Sequence, residues 1–418
     1  LVNFILDELI SEPTIEFSKL VIRLFHNNPL GFALLDDAEV KDIIGQFQIH
    51  FGHLQMVVNQ EFKKFGIDRS NIFLEPSFFS RDYGIQGRLD LLHQKSGKFV
   101  FDIIELKSGR TFKPNIYGIN ASHYIQTLLY DLMIKSAYRT KARSSNYILY
   151  SKEDNPLRFA PPVRAQQFEA MKLRNDIIAI EQKLKVANID NTLFKYVKPE
   201  NFSKLKGFNA NDILNFYNLY STLNEIEKLY FDNYSAFVAR EHGLSKTGEH
   251  GINKSNGHAA LWLESNEEKT DRFSLLSGLQ ISDNKSDQED AYISFSRDVN
   301  AQALVNFRVG DLGVLYPMDN EGHQQILRNQ IFKCTITELG QDRVVIRLRS
   351  KQFNQSLFQT HQYWCIEPDS LDSSFNAMYK SLFTWAASPI EYRELILGLR
   401  QPLPKKDKPK HRCTDGLT

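Results

Sequence analysis

The sequence predicts a mixed α/β core, then a helical segment, then a small β barrel that ends in a pair of helices. Apolar residues between Val40 and Leu54 recur at three- and four-residue spacing, which is typical of a helix with one buried face. Between residues 71 and 107 the apolar runs are short and separated by turn residues, which indicates strands. Beyond residue 258 short apolar runs alternate with turns, and this pattern favours a small β barrel or a β sandwich.

The composition excludes several classes of protein. The 418 residues contain 51 Lys and Arg against 50 Asp and Glu, so a uniformly basic polyanion-binding protein is excluded. Cys334, Cys365 and Cys413 are too few for a disulfide scaffold or a Cys-rich zinc module. No apolar run approaches the ~18 residues that cross a bilayer, and no leader-like segment opens the chain. We expect a multi-domain cytoplasmic protein without a membrane partner and, because it starts at Leu1, a fragment or processed form.

The first predicted domain, residues 1–160, is the α/β core. Residues 1–70 have a helical pattern, and the run from Lys95 to Lys98 predicts a hairpin turn. Strands that alternate with helices along the chain favour a mixed sheet flanked by helices. The predicted elements after residue 70 are strands at 72–74, 89–92, 99–106 and 146–150 and a helix at 119–137.

The remaining chain divides into five predicted segments. These are long helices that pack on or extend the core (161–245), a linker (246–258), a small β-barrel domain (259–368), stalk-like helices (369–400) and a basic tail expected to be disordered (401–418). The helical patterns are longest at 168–186 and 210–240. The predicted barrel strands are 260–263, 291–296, 303–309, 313–316, 331–339 and 343–348.

Three charged residues of the core carry the predicted chemistry. Asp90 lies in the run GRLD, and Glu105 and Lys107 lie in IIELKSG on the next strand. The two-residue period of a strand puts Glu105 and Lys107 on one face, and a hairpin between the strands brings Asp90 near that face. Carboxylates can hold the hard cation that phosphodiester hydrolysis requires, and a lysine can offset developing charge. The same spacing also fits three ordinary charged residues on a solvated hairpin.

Two observations favour the chemical interpretation. Glu105 and Lys107 interrupt an apolar run, where charged residues usually have a function. On the following helix His123, Gln126 and Tyr130 fall on one stripe and suit a nucleic-acid backbone, although a stripe facing water would have the same spacing. Around the acidic residues lie two arginines that can bind phosphate, or that are simply surface residues: Arg88 and Arg110.

The order GRLD, a hairpin, IELKSG and then H-x-x-Q-x-x-x-Y resembles the RecB-like branch of the PD-(D/E)XK nucleases over residues 40–150. It is most similar to the nuclease domain of the flap-processing nuclease–helicase of eukaryotic replication and its bacterial relatives. The resemblance implies a restriction-endonuclease-like α/β core with Asp90 and Glu105 as metal ligands and Lys107 as the catalytic lysine. It also implies that Gln126 and Tyr130 lie at the DNA.

The resemblance implies a histidine ligand from an upstream helix as well. His50 and His53 both qualify and share a helix face at i, i+3 spacing; we favour His50. Glu75 is a weaker candidate for a residue that supports the site. The expected cofactor is Mg²⁺ or Mn²⁺. Several members of the family hold an iron–sulfur cluster with four cysteines around the core, and such a cluster is excluded here because residues 1–333 contain no cysteine.

The predicted function is a metal-dependent DNA nuclease that acts on single-stranded ends or flaps. In the nuclease–helicases a barrel and stalk helices lie between nuclease and motor, so a helicase motor is an expected partner, in cis beyond this chain or in trans. The chain itself has no G-x-x-x-x-G-K-[ST] motif, so no ATP site of that kind is expected. Two alternatives remain: a non-catalytic DNA-binding platform for a helicase, and a stand-alone restriction-like endonuclease.

Overall fold

The computed structural model describes residues 1–95, 99–139, 142–186, 192–248, 257–297, 305–319, 321–369 and 373–402. Most of the hairpin turn predicted at residues 95–98, most of the linker and nearly all of the basic tail, including Cys413, lie outside the described residues. In the described part of the chain, no helix has the length and hydrophobicity that crossing a bilayer requires.

The α/β core begins with helices and continues with strands. Its first long helix, Asp37–Met56, starts with a capping box between Asp36 and Glu39, in which each side chain accepts the other residue's backbone N–H. A π-helical turn (Val57–Glu61) and a 3-10 turn (Arg69–Asn71) lead into the sheet. The helices are α1 (Val2–Ser11), α2 (Phe17–Asn27), α3 (Pro29–Ala33), α4 (Asp37–Met56), α5 (Phe62–Phe65) and α6 (Ala121–Tyr138). The strands are β1 (Ile72–Leu74), β2 (Ser77–Ser80), β3 (Ile85–Arg88), β4 (Leu91–Gln94), β5 (Val100–Lys107), β6 (Arg143–Tyr150) and β7 (Leu157–Phe159).

Among the described residues, five strands form a mixed sheet in the order β1–β4–β5–β6–β7. Only β5 and β6 pair in parallel, because α6 connects them as a crossover. Alternate residues of β5 face opposite sides: Phe101 and Ile103 pack against α6, whereas Ile104 and Leu106 pack against the helices before residue 60. The sheet is therefore covered on both faces, as predicted for a restriction-endonuclease-like α/β core.

The helical segment after the core contains α7 (Arg164–Leu184), α8 (Thr192–Tyr196), a 3-10 turn (Pro199–Phe202), α9 (Phe208–Thr222) and α10 (Glu225–Thr247). The prediction of a single helix over residues 210–240 is wrong, because the helix is interrupted at residues 223–224. Asn224 forms a capping box with Glu227 there and starts a new helix, because its side chain accepts the backbone N–H that would otherwise continue the first one.

Six strands close into a barrel in the order β10–β11–β12–β9–β8–β13. The predicted barrel is thus confirmed, but two of its predicted strands are wrong. Residues 260–263 form a helix that buries Leu261, and the described residues of 303–309 form a loop. The barrel region contains α11 (Ala260–Leu263), α12 (Asn266–Asp271), β8 (Leu276–Lys285), β9 (Tyr292–Ser296), β10 (Leu312–Met318), β11 (Phe332–Leu339), β12 (Arg343–Leu348), α13 (Ser356–Thr360) and β13 (Tyr363–Pro368), followed by α14 (Ser373–Ala387) and α15 (Ile390–Ile396).

The barrel and the α/β core belong to one compact unit, residues 1–175 with 259–370. Backbone bridges join them directly: Ser77 pairs with Ile331, and Phe73 pairs with Gln352. One hydrophobic cluster also runs from core residues such as Phe101 into the barrel interior. The predicted domain boundaries differ from this division, since they assign the barrel and the core to separate domains.

The second compact unit contains residues 176–258 and 371–418. Its described hydrophobic cluster joins Phe231 of α10 to Leu382 and Trp385 of α14. Arg393 of α15 donates to the buried Glu227 at 2.7 Å, which fixes α15 to the start of α10. The predicted stalk-like helices therefore pack with the last helix of the preceding helical segment.

Candidate active site

Asp90 lies directly opposite Glu105 at the end of the β4–β5 hairpin. Leu91 pairs with Ile104, and continuing that antiparallel register by one residue brings Asp90 to Glu105. Two donors hold the Asp90 carboxylate: the backbone N–H of Leu106 donates to Oδ2 at 2.7 Å, and Asn3 Nδ2 donates to Oδ1 at 3.0 Å. The hairpin therefore fixes one edge of the carboxylate, and helix α1 fixes the other.

Lys107 joins Glu105 to the following helix. Its Nζ donates to Glu105 Oε1 at 2.7 Å and to Gln126 Oε1 at 2.9 Å. Glu105 is only 4 % exposed, and its second oxygen, Oε2, is buried with no hydrogen-bond partner among the described residues. A buried carboxylate oxygen without a donor is costly, so this atom is suited to an additional positively charged ligand.

Burial makes both carboxyl groups costly to ionise, and the charge of Asp90 adds to that cost for Glu105. Burial, and then the charge of Asp90, raise the pKa of Glu105 to about 7, although Lys107 opposes the shift. Burial likewise raises the pKa of Asp90, against the hydrogen bond from Leu106. Two facing acidic groups that are reluctant to ionise together are typical of a site that binds a cation.

Helix α6 continues the hydrogen-bond chain that starts at Lys107. Gln126 Nε2 donates to the Tyr130 hydroxyl at 2.7 Å, and that hydroxyl donates to the backbone oxygen of Arg88 at 2.8 Å. Gly87 allows this approach, because a Cβ there would lie 3.0 Å from Tyr130 Cε1 and 2.7 Å from Met133 Cε. The glycine of GRLD thus leaves room for close packing against α6.

His123 shares the helix stripe but lies beside this chain of bonds. Its Nδ1 is hydrogen-bonded to the Tyr150 hydroxyl at 2.9 Å. Burial, and then the charge of Lys107, lower its pKa. Hydrogen bonds therefore link Lys107 to Gln126 and Gln126 to Tyr130, while His123 is hydrogen-bonded to Tyr150 of β6.

His50 and His53 both meet Ser151, the residue after β6. His50 Nδ1 is hydrogen-bonded to Ser151 Oγ at 2.8 Å and His53 Nδ1 to its backbone oxygen at 2.9 Å. Ser151 in turn donates to the backbone oxygen of Lys107. Burial lowers the pKa of His50, which is the more buried of the two and keeps Nε2 for another ligand.

A divalent cation fits the two carboxylates. Glu105 offers a buried oxygen without a donor, and both acidic groups have raised pKa values that a cation would counteract. The described part of the chain contains no group of three or more His, Cys, Asp or Glu side chains that could together hold a metal ion. Mg²⁺ commonly uses one or two protein carboxylates and completes its shell with water and phosphate oxygens.

The remaining predicted residues lie at the edge of the site. Arg88 directs its guanidinium to Glu75, with Nη1 3.1 Å from Oε2, rather than to the acidic pair. Arg110 is exposed in the segment after β5. Glu75 has a left-handed backbone (φ 49°), and its N–H donates to the backbone oxygen of Asp90 at 3.0 Å, so it is the direct neighbour of Asp90.

Four residues near the site were not predicted. Asn3 binds Asp90, Ser151 holds both histidines, and Arg349 of the barrel reaches Glu75. The pKa of Asp7 is raised well above its usual range, by burial and then by the charges of Glu75 and Asp90. These residues form no motif with Asp90, because they come from chain segments that meet only in the folded protein.

The barrel cysteines have no chemical role in this arrangement. Cys334 and Cys365 are buried, and burial raises the pKa of both thiols, that of Cys334 to about 12. Thiols this reluctant to ionise are poor nucleophiles and poor metal ligands.

Residues 39–201 match the model of the PD-(D/E)XK nuclease superfamily. The matched segment contains the mixed sheet, Asp90, Glu105, Lys107 and helix α6, so this part of the chain is a PD-(D/E)XK nuclease superfamily domain. No curated protein matches the chain. Helix α1, with Asn3, and the barrel, with Arg349, lie outside the matched segment.

Proposed function

We propose that this protein is a Mg²⁺- or Mn²⁺-dependent DNA nuclease with its active centre at Asp90, Glu105 and Lys107. One observation carries the proposal: a lysine and two facing carboxyl groups converge at one hairpin end, and one buried carboxylate oxygen has no donor among the described residues. A nuclease superfamily match over the same residues supports it. Three charged residues on a merely solvated surface would not be buried together in this way.

Each residue has a distinct part in the proposed reaction. Asp90 and Glu105 would hold the divalent cation, and the bound cation would polarise the phosphoryl group and acidify water. His50 stays the candidate third ligand from the resemblance, although among the described residues it forms no three-residue ligand group with them. Lys107 orients the attacking water and offsets the charge that develops on the phosphoryl oxygens. Gln126 holds the ammonium of Lys107 in place, since it accepts one of its three N–H bonds.

The products follow from the family chemistry. Water attacks phosphorus and loses a proton to solvent, the bond from phosphorus to the 3′ oxygen breaks, and the departing 3′ oxygen takes a proton from solvent, which leaves a 5′-phosphate and a 3′-hydroxyl. The strand would run between the sheet and α6, where Gln126, Tyr130 and His123 contact its backbone. Single-stranded ends or flaps are the proposed substrates, and a helicase motor in cis or in trans is the proposed partner. These finer assignments rest on the resemblance to the RecB-like branch.

The test is a cleavage panel with matched variants. Single-stranded, flapped and duplex DNA are incubated with Mg²⁺, with Mn²⁺ and with EDTA. We expect metal-dependent cutting by the parent, and a loss of at least about 100-fold in Asp90→Ala and Lys107→Ala with unchanged circular dichroism. Asp287→Ala and Lys285→Ala, at the β8–β9 turn, are the controls and should cut like the parent.

Three outcomes separate the proposal from its alternatives. Cutting by Asp90→Ala at the parental rate would show that the site is wrongly placed. Tight DNA binding without metal-dependent cutting of any substrate would favour a non-catalytic platform. Cuts at fixed duplex sequences, with no preference for free single strands, would favour a restriction-like endonuclease.

A further inference from the structure

Glu75 joins a core arginine and a barrel arginine immediately beside the candidate active site. Arg88 Nη1 lies 3.1 Å from Glu75 Oε2, and Arg349 Nε lies 3.5 Å from the same oxygen. Arg349 follows β12, and its backbone N–H donates to the carbonyl of Lys333 on β11. The pair therefore brings together residues that are far apart in the chain, one from each side of the seam between core and barrel.

The position of Glu75 relates this pair to the catalytic carboxylates. Its N–H donates to the backbone oxygen of Asp90, so Glu75 and Asp90 are neighbours across two adjacent segments. Arg88 is two residues before Asp90, and its backbone oxygen accepts from Tyr130. The two guanidinium groups thus contact the carboxylate of a residue whose backbone is hydrogen-bonded to Asp90.

The Glu75 side chain is less exposed than the two arginine side chains that contact it. Glu75 is 15 % exposed, whereas the side chains of Arg88 and Arg349 are 39 % and 60 % exposed. Two arginines on one carboxylate leave an excess positive charge on the exposed side. Arg349 meets Glu75 through Nε, and its exposed side chain is accessible to a further ligand. A guanidinium edge can bind a phosphate with two parallel N–H bonds.

The strained backbone of Glu75 supports a functional role. Its φ of 49° is unfavourable for a residue with a side chain. Its N–H donates to the Asp90 carbonyl, and its carboxylate meets the two arginines. Lys351, two residues after Arg349, separately joins the barrel to the core by donating to Glu8 at 2.8 Å.

We propose that Arg88 and Arg349, held together by Glu75, bind a backbone phosphate of the DNA strand next to the scissile phosphodiester. The barrel thereby supplies part of the substrate site, and this inference rests on the proposed nuclease function. Arg88 and Arg349 are binding residues, and Glu75 is a positioning residue. The contact is to phosphate and carries no base preference.

The experiment compares Arg349→Ala with Arg343→Ala. Arg343 is a matched control because it lies at the other end of β12, is 55 % exposed and also faces a glutamate, Glu338. With a single-stranded oligodeoxynucleotide and Mn²⁺, Arg349→Ala should raise KM about 10-fold with most of the loss in KM rather than kcat. In EDTA, where no cutting occurs, the slope of log Kd against log salt should fall by about 0.7. Arg343→Ala should match the parent in both assays.

Glu75→Gln distinguishes positioning from simple charge. Removal of a negative charge by itself would tighten DNA binding, whereas loss of the anchor for both arginines should raise KM about as much as Arg349→Ala does. Arg349→Lys, which keeps the charge without the two-pronged edge, should recover only part of the affinity. Thermal unfolding of each variant identifies any loss of fold.

The outcomes are distinguishable from failure of the proposed function. If Arg349→Ala equals Arg343→Ala in KM and in salt slope, or if Glu75→Gln binds DNA more tightly than the parent, the phosphate site is refuted. If the parent does not cut DNA with either metal, the nuclease proposal fails. The binding measurements in EDTA still decide whether Arg349 contacts phosphate in that case.

Discussion

Glu105→Gln is expected to stabilise the metal-free protein at alkaline pH while it abolishes cleavage. Burial and the nearby Asp90 raise the pKa of Glu105 to about 7 from an ordinary value of 4.5. Gln has nearly the same shape as the protonated glutamic acid and cannot ionise. The substitution therefore removes the cost of forming a buried carboxylate, together with the oxygen proposed to bind the cation.

The sign and size of the effect follow from the two pKa values. A raised pKa means that the folded state holds the proton of Glu105 more tightly than the unfolded state does. The contribution of this proton to the free energy of unfolding is complete below pH 4.5 and is lost as the pH rises through about 7. At about 1.4 kcal/mol per pH unit, the loss in the parent amounts to about 3 kcal/mol at pH 8. Glu105→Gln should not show this loss, so at pH 8 it should exceed the parent by about that free energy of unfolding.

Urea unfolding in EDTA at pH 5 and pH 8, followed by tryptophan fluorescence, measures the difference. Glu338→Gln, at an exposed carboxylate, is the control and should change with pH as the parent does. Added Mg²⁺ or Mn²⁺ should stabilise the parent at pH 8, because the cation binds only the folded ionised pair, and should have no such effect on Glu105→Gln. If the free energy of unfolding depends on pH in the same way in the parent and in Glu105→Gln, the inference that Glu105 carries a buried charge able to bind a cation is refuted.

Three further substitutions test other contacts. Asn3→Ala frees one oxygen of Asp90, so the Mn²⁺ concentration for half-maximal cleavage should rise about 10-fold; an unchanged metal requirement would deny Asn3 a positioning role. Gly87→Ala places a methyl group against Tyr130 and should lower single-turnover cleavage about 10-fold, and full activity would show that the packing is looser than described. Lys269→Met leaves the buried carboxylate of Glu367 without its ion-pair partner and should cost about 3–5 kcal/mol in urea unfolding, a result that a parental midpoint would contradict.

Features encoded over short distances in the chain were predictable. The juxtaposition of Asp90, Glu105 and Lys107 needs only a hairpin and the two-residue period of a strand. The alignment of Gln126 with Tyr130 needs only the helical period. The catalytic roles assigned to these residues stay predictions until the variants are measured.

Features that depend on distant segments were missed. The partners of Arg88 are an example: its guanidinium lies on Glu75, and a barrel arginine is the second partner of that carboxylate. Sequence could not choose between His50 and His53, and in the structure Ser151 binds both. Strand β8 was missed because it is polar and contains Gly278; it is a strand because β9 and β13 pair with it on either side.

The amino-acid sequence by itself determined which chemical groups this protein possesses and which of them face the same way along one strand or one helix. Local hydrogen bonding sets those periods, so they need no knowledge of the rest of the chain. Only the tertiary structure decided that helix α1 holds Asp90 and that the barrel places Arg349 beside Glu75. Contacts of this kind form only when burial of a common hydrophobic core offsets the conformational entropy that is lost as distant segments come together.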